Sequence, residues 1–370
     1  MTDRLEFISQ RQGAAAYDVR DLGLLDDGRL CHAFSLNNHS HIVGEADTTQ
    51  GIHAFLWRDG WIHDLGSPGL VYSRAIDIND DGYVLGVTDL TPHGKRIGCL
   101  WYEDKCIDLC GLGIEGAGVR AINNDGHIVG ETIFDDERPP GAFLWRYGVV
   151  TDIAGPYVKG SCAEDINDAG QVVGYLTTLP QYDQAFLWTE GKLFDLGLGQ
   201  AYALNDVGVS VGMTYQGNAK PLACMWHGVH RREIPLLEGC VSSVARDVNN
   251  SDEIVGEMTL VGGRKAAFLW KNEYTMDLND LIDQTYGWSL QEAWAVNESG
   301  QIAGWGFLEH RHHGFLLTPT DRPGKQAKRL PPPKEGAEHV HVPDTPAENE
   351  ESSISFQDMI LQMVQQERKR

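Results

Sequence analysis

One spacing constrains this chain more than any other: an Asn followed seven residues later by a Gly, met seven times. The pairs are Asn37/Gly44, Asn79/Gly86, Asn123/Gly130, Asn167/Gly174, Asn205/Gly212, Asn249/Gly256 and Asn297/Gly304, with Gly-to-Gly steps of 42, 44, 44, 38, 44 and 48 residues. An aliphatic residue precedes every Asn. Four residues before the Asn stands Ala33, Ala75, Ala163, Ala201, Ala245 or Ala293, and Val119 in the third copy. A second block ends in Trp57, Trp101, Trp145, Trp188, Trp226 and Trp270, with Leu317 in the seventh copy. A third reads Asp64-Leu65-Gly66, Asp108-Leu109, Asp152-Ile153 and Asp195-Leu196-Gly197.

Each repeat thus offers four short runs rich in β-branched and aromatic residues and bounded by turn residues, which predicts four strands, A to D. The Asn-Asp-x-Gly between A and B predicts a hairpin turn in which Asn and Gly tolerate positive φ, Asn serving as an Asx or positive-φ residue. A period near 44 residues with four strands predicts an all-β fold, a seven-bladed β-propeller with four-stranded blades. Crowding at a central channel calls for the small Ala and Gly of strands A and B, and diverging blades call for the Phe and Trp of strand C. The seventh copy lacks a strand D, and Tyr17–Gly23 reads as a strand D without a blade. Setting the second against the first closes the ring and removes an exposed edge.

These blocks resemble the HAF repeat family of bacterial proteins, through His53-Ala54-Phe55-Leu56-Trp57, His313-Gly314-Phe315 and the run from Ile78 to Gly86. The resemblance covers roughly residues 17 to 318. It implies a propeller and no defined activity, and five copies lack the motif His. The assignment is therefore a propeller over 1–320, a disordered linker over 321–353 and an amphipathic helix or tail signal over 354–370.

The net charge is −23. The tail from Asp321 holds 9 acids and 8 bases, leaving 44 acids and 22 bases, or −22, before it. Such a body repels phosphate backbones, so nucleic acid is not an expected partner. No run approaches the roughly 18 apolar residues of a membrane span. The first residues lack a signal peptide's basic and apolar regions, so a cytoplasmic protein is expected, or one exported without a signal peptide. Seven scattered cysteines read as reduced thiols, with Cys106 and Cys110 expected on one strand.

The seven motif Asn residues form a ring on one face, expected as turn chemistry rather than as a ligand site. Asp77-x-Asn79-x-Asp81-Gly82 opens like a calcium loop, but Thr88 stands where the bidentate Glu belongs, so no calcium is expected. Glu45, Glu131 and Glu257 each follow a strand B Gly, and paired carboxylates near a channel are what a carbohydrate-active enzyme uses. Their convergence in an open pocket is the deciding test. Glu309-His310-Arg311-His312-His313 is expected in the last B–C loop, as a solvated run. No metal and no cofactor is expected.

Loops carry function on rigid scaffolds. The B–C and D–A loops offer Tyr72, His93, Lys95, Tyr182 and His310 as ligand-binding residues. In the tail, Phe356, Met359, Ile360 and Met363 fall on one helical face and offer a second contact. The acidic Glu348, Glu350 and Glu351 near the C-terminus resemble signals on effectors moved by type IV secretion. The favoured function is a non-enzymatic binding scaffold with a protein partner. A glycan ligand, the carbohydrate-active enzyme and the translocated effector are the alternatives.

Overall fold

The computed structural model describes residues 16–320, apart from 69–70, 90–95, 103–104, 115–117, 133–138, 156–157, 178–181 and 216–219. The chain divides into two units after Pro319, and the second lies outside the described residues except for Thr320. The first unit is a seven-bladed β-propeller of seven four-stranded antiparallel sheets. Strands A, the innermost, run Cys31–Leu36, Ser73–Ile78, Gly118–Ile122, Ser161–Ile166, Gln200–Leu204, Cys240–Val248 and Ser289–Val296. The last blade takes its strand D from the other end of the chain: Tyr17–Asp21 pairs antiparallel with Arg311–Pro319, Tyr17 opposite Pro319 and Asp21 opposite Phe315. Closure therefore rests on main-chain bonds between segments almost 300 residues apart, which cover the outer edge of the last strand C.

Strand C supplies the packing between blades. Phe55, Phe143, Phe186, Phe268 and Phe315, with Trp145 and Trp226, are essentially inaccessible. Each such side chain contributes on the order of 2 kcal/mol in transfer free energy. The Asp of the third block has a local task. Asp21, Asp64 and Asp195 accept the backbone N–H two residues on, from Gly23, Gly66 and Gly197, which fixes the bend that ends strand D. His53 and His313, the motif imidazoles, pack against the same carboxylates, with Nδ1 3.0 Å from Asp64 and 2.9 Å from Asp21.

The repeated Gly has a more specific origin than general crowding. In every blade the A–B pairing slips by one residue just before the Asn, as between Ala33 and Ser35 or Ala245 and Asp247. This bulge presses a strand A carbonyl onto the facing glycine. A Cβ at Gly44 would lie 1.9 Å from the His32 carbonyl oxygen, and one at Gly130 would lie 2.1 Å from that of Gly118. No side chain fits there in any of the seven blades.

Three sequence expectations are refined or corrected. Of the two A–B turn residues expected to tolerate positive φ, Asn and Gly, the Gly position takes it, the third after the motif Asn: Ser40, Gly82, Gly126, Gly170, Gly208, Asp252 and Gly300. The Asn itself keeps only its Asx role. Cys106 and Cys110 do not share a strand, because Asp108 ends the strand and caps a 3₁₀ turn over Leu109–Leu112; none of the seven cysteines is in a disulfide. The last B–C connection is a two-residue hairpin, Glu309 and His310, both left-handed at φ 50° and 66°, so His312 and His313 belong to strand C. Among the described residues no helix is long and apolar enough to cross a membrane.

Candidate functional site: the central channel

The lower mouth of the channel is built by the motif Asn residues, all 5% exposed or less. Each Oδ1 accepts the backbone N–H four residues on, as Asn205 does from Val209 at 2.8 Å. Each Nδ2 donates to the backbone carbonyl of the next blade's motif Asn. The chain of donors runs 37 to 79, 123, 167, 205, 249, 297 and back to 37, at 3.0 to 3.2 Å. The following residues repeat the device. Asn38, Asp80, Asn124, Asp168, Asp206, Asn250 and Glu298 each accept, through a side-chain oxygen, the backbone N–H of the preceding blade's residue. These two closed belts use the amides for structure, since an unpaired buried amide costs about 1–3 kcal/mol.

Above the belts, Asp77, Asp165 and Asp247 stand two residues before the Asn in blades 2, 4 and 6. Each carboxylate accepts the N–H of the next residue and of the equivalent residue in the next blade, as Asp247 does from Val248 and Val296, both at 2.8 Å. Burial pushes all three pKa values up, that of Asp247 to about 6. Asp77 also accepts from Ser35 Oγ at 2.7 Å. Asp77 and Asn79 of the calcium-like run are thus committed to backbone donors. Among the described residues no group of three or more His, Cys, Asp or Glu side chains is arranged to hold a metal ion.

The bulge turns one further residue per blade into the channel: Phe34, Ile76, Arg120, Glu164, Tyr202, Arg246 and Trp294. All seven line a cavity of 650 Å³ that also touches Tyr72, Arg74, Val87, Arg96 and Glu131. This volume falls in the roughly 300–1,000 Å³ range of small-molecule sites. The lining is cross-braced. Arg246 lies 4.4 Å over Trp294, Trp294 meets Phe34 edge-on at 5.3 Å, and Arg74 lies 4.1 Å over Phe34. One continuous cation–aromatic wall therefore spans blades 6, 7, 1 and 2. Next to it, Trp305 stacks on His312 at 4.9 Å, and His312 Nδ1 lies 2.9 Å from His32 Nε2. Burial lowers the His32 pKa to about 4, so His32 is neutral at pH 7.

The three strand B glutamates each meet a guanidinium. Arg246 grips Glu257 through two bonds of 2.9 and 2.7 Å. Arg120 donates to Glu131 at 2.9 Å. Arg74 Nε lies 3.8 Å from Glu45, whose pKa burial raises. Only Glu131 lines the cavity, so the three carboxylates do not converge in it. Of the loop residues, Tyr72 sits at the cavity with Arg96 3.7 Å over its ring. Tyr182 packs against Tyr215 at 5.4 Å, and His310 is exposed in its hairpin. His93, Lys95, Phe356, Met359, Ile360 and Met363 lie outside the described residues. The channel residues Phe34, Glu164, Tyr202, Arg246 and Trp294 were not singled out from sequence. Their signal was available: the position three before the Asn is the one that does not repeat inside a repeating block.

No family model matches the chain, and no curated protein matches it. Solved structures do. A prolyl endopeptidase aligns at a TM-score of 0.53 with 8% identity, over 86% of this chain and 53% of its own. A puromycin-hydrolysing peptidase of Mycobacterium tuberculosis aligns at 0.50 with 10% identity, over 79% and 52%. YCF48 bound to D1 peptide aligns at 0.49 with 10% identity, over 83% and 98%. The chain spans about half the length of the two peptidases. At such identities the likeness shows the propeller fold and nothing of its chemistry.

Proposed function

We propose that this chain is a non-enzymatic binding module that receives its ligand in the upper part of the central channel. One observation carries the reading. The positions that hold the blades together repeat around the ring, whereas the bulge position places two guanidiniums, a carboxylate, three aromatic rings and an isoleucine around one 650 Å³ cavity. Packing against a neighbouring blade does not dictate a residue that faces open space, so the channel ring is free to be set by what enters it. The bonding of Glu257 to Arg246 and of Glu131 to Arg120 supports binding over carboxylate-pair catalysis, because carboxylate oxygens spent on a guanidinium are not open to a substrate. We carry the kinship with HAF repeat proteins as part of the same proposal, on the blocks quoted above.

The test is a comparison of the full chain with a Phe34→Ala/Trp294→Ala variant of matched melting temperature. Both are immobilised and exposed to small-molecule and protein extracts, with mass-spectrometric readout. Species held by the wild type and lost from the variant are expected. Species held equally by both would place binding elsewhere and sink the reading.

A further inference from the structure

Two guanidiniums at the upper mouth of the channel have acceptors missing. Arg74 and Arg96 are the charged pair of blade 2, and each sits over an aromatic ring: Arg74 4.1 Å over Phe34, Arg96 3.7 Å over Tyr72. Stacking uses the face of a guanidinium and leaves its N–H edge free. The nearest carboxylates are too far for hydrogen bonds, with Glu45 3.8 Å from Arg74 Nε and Asp89 3.7 Å from Arg96 Nε. Arg74 Nε is buried with no hydrogen-bond partner, and among the described residues neither guanidinium donates a hydrogen bond. The other two channel arginines show the contrast. Arg246 has spent its fork on Glu257, and Arg120 is bonded to Glu131 and lies 3.7 Å from Glu164.

The surroundings narrow the ligand. Cationic ligands are disfavoured, because the faces of Phe34, Tyr72 and Trp294 already carry the protein's own guanidiniums. A dianion is disfavoured by the carboxylates deeper in the same cavity, Glu131 and Glu164 among them. A single planar carboxylate matches the fork of a guanidinium. Beside the two arginines the wall is apolar, made by Phe34, Ile76, Val87 and Trp294, and suits a hydrocarbon or aromatic body.

We propose that the channel mouth binds a small organic monocarboxylic acid, its carboxylate held by Arg74 and Arg96 and its apolar body laid against the Phe34–Trp294 wall. This rests on the channel being the binding site and adds the class of ligand. Because the donors are already oriented by stacking, little side-chain freedom is lost when the acid arrives.

The experiment is a calorimetric titration of the full chain with phenylacetate and indole-3-acetate, their neutral amides, phenyl phosphate, and a short acetylated peptide ending in a free phenylalanine carboxylate. The two free acids bind, and the amides bind about tenfold more weakly or worse. Arg74→Gln and Arg96→Gln each weaken the acids by about tenfold or more, while amide binding and the melting temperature stay unchanged. Arg232→Gln, on the outer strand of blade 5 and paired with Glu273 in the C–D turn of blade 6, leaves every affinity unchanged. Equal binding of acid and amide overturns the proposal, as does an Arg74→Gln or Arg96→Gln variant that binds the acids like wild type, or no acid binding at millimolar concentration. Binding of phenyl phosphate alone, or of the peptide alone, overturns the small-acid assignment in favour of that source. If Phe34→Ala/Trp294→Ala abolishes binding of all probes but the arginine variants do not, the channel survives as the site and the carboxylate claim falls.

Discussion

Replacing Asn205 with Asp changes one buried N–H donor into an oxygen and leaves the rest of the lower belt in place. Asn205 is 5% exposed. Its Oδ1 accepts from Val209 at 2.8 Å, and its Nδ2 donates to the Asn249 carbonyl at 3.0 Å. In Asn205→Asp the first bond survives. The second oxygen faces a carbonyl oxygen, which only a protonated carboxyl can satisfy. Burial and that lone pair raise the folded pKa, by about 3 units for a site this enclosed. From an unfolded value of about 3.9, the linkage penalty is about 4 kcal/mol at pH 8 and about 1.5 kcal/mol at pH 5. The sign follows from the raised pKa: stability is fully present below the unfolded pKa and is lost as pH rises through the folded one. A spread of about 2.5 kcal/mol corresponds to a melting-temperature difference of about 4 °C for a domain of about 300 residues. The assay is thermal melting of Asn205→Asp, Asn205→Ala and wild type at pH 5 and pH 8. Asn205→Ala strands both partners and loses about 2–6 kcal/mol at either pH. An Asn205→Asp deficit that is the same at both pH values would refute the donor role assigned to the ring.

Two further outcomes are expected. Gly130→Ala drives a Cβ to 2.1 Å from the Gly118 carbonyl oxygen, so it costs more than the roughly 1–3 kcal/mol of ordinary overpacking; denaturant unfolding within 0.5 kcal/mol of wild type would contradict the bulge as the reason for the Gly. Asp247, with its pKa raised to about 6 by burial, gives wild type a stability term present below the unfolded pKa near 3.9 and lost as pH rises through 6. The melting-temperature difference between wild type and Asp247→Asn therefore shifts against wild type from pH 4 to pH 6.5 and is flat above, and a difference that does not change with pH would count against it.

Most of the fold was legible because a propeller writes the same local solution seven times. The strands, the Asn-x-x-Gly turn and the closing of Tyr17–Asp21 on the last blade all follow from strand propensity, turn chemistry and the need to cover an edge. The motif spacing between Asn and Gly was visible too, but half of its meaning was not. The Gly answers a carbonyl pushed at it by a bulge in the opposite strand, and the Asn side chain reaches a carbonyl in the next blade, 38 to 48 residues on.

The candidate site was less legible than the fold. Glu45, Glu131 and Glu257 stand out as a repeated acid after a repeated Gly, yet their partners Arg74, Arg120 and Arg246 come from strands A and are set by pairing register. The loop residue Tyr72 was marked from sequence, but not Arg96 lying over its ring. What the sequence alone determined is the repeat, the strand count and the closure, since these are decided by neighbours along the chain and by patterning. What only the tertiary structure decided is that both residues between the Ala and the aliphatic residue of strand A look into the channel, as Phe34 and Ser35 do. The bulge breaks the two-residue alternation that would otherwise tell inside from outside. Seven bulged strands must then meet around one axis before Phe34, Arg246 and Trp294 become neighbours.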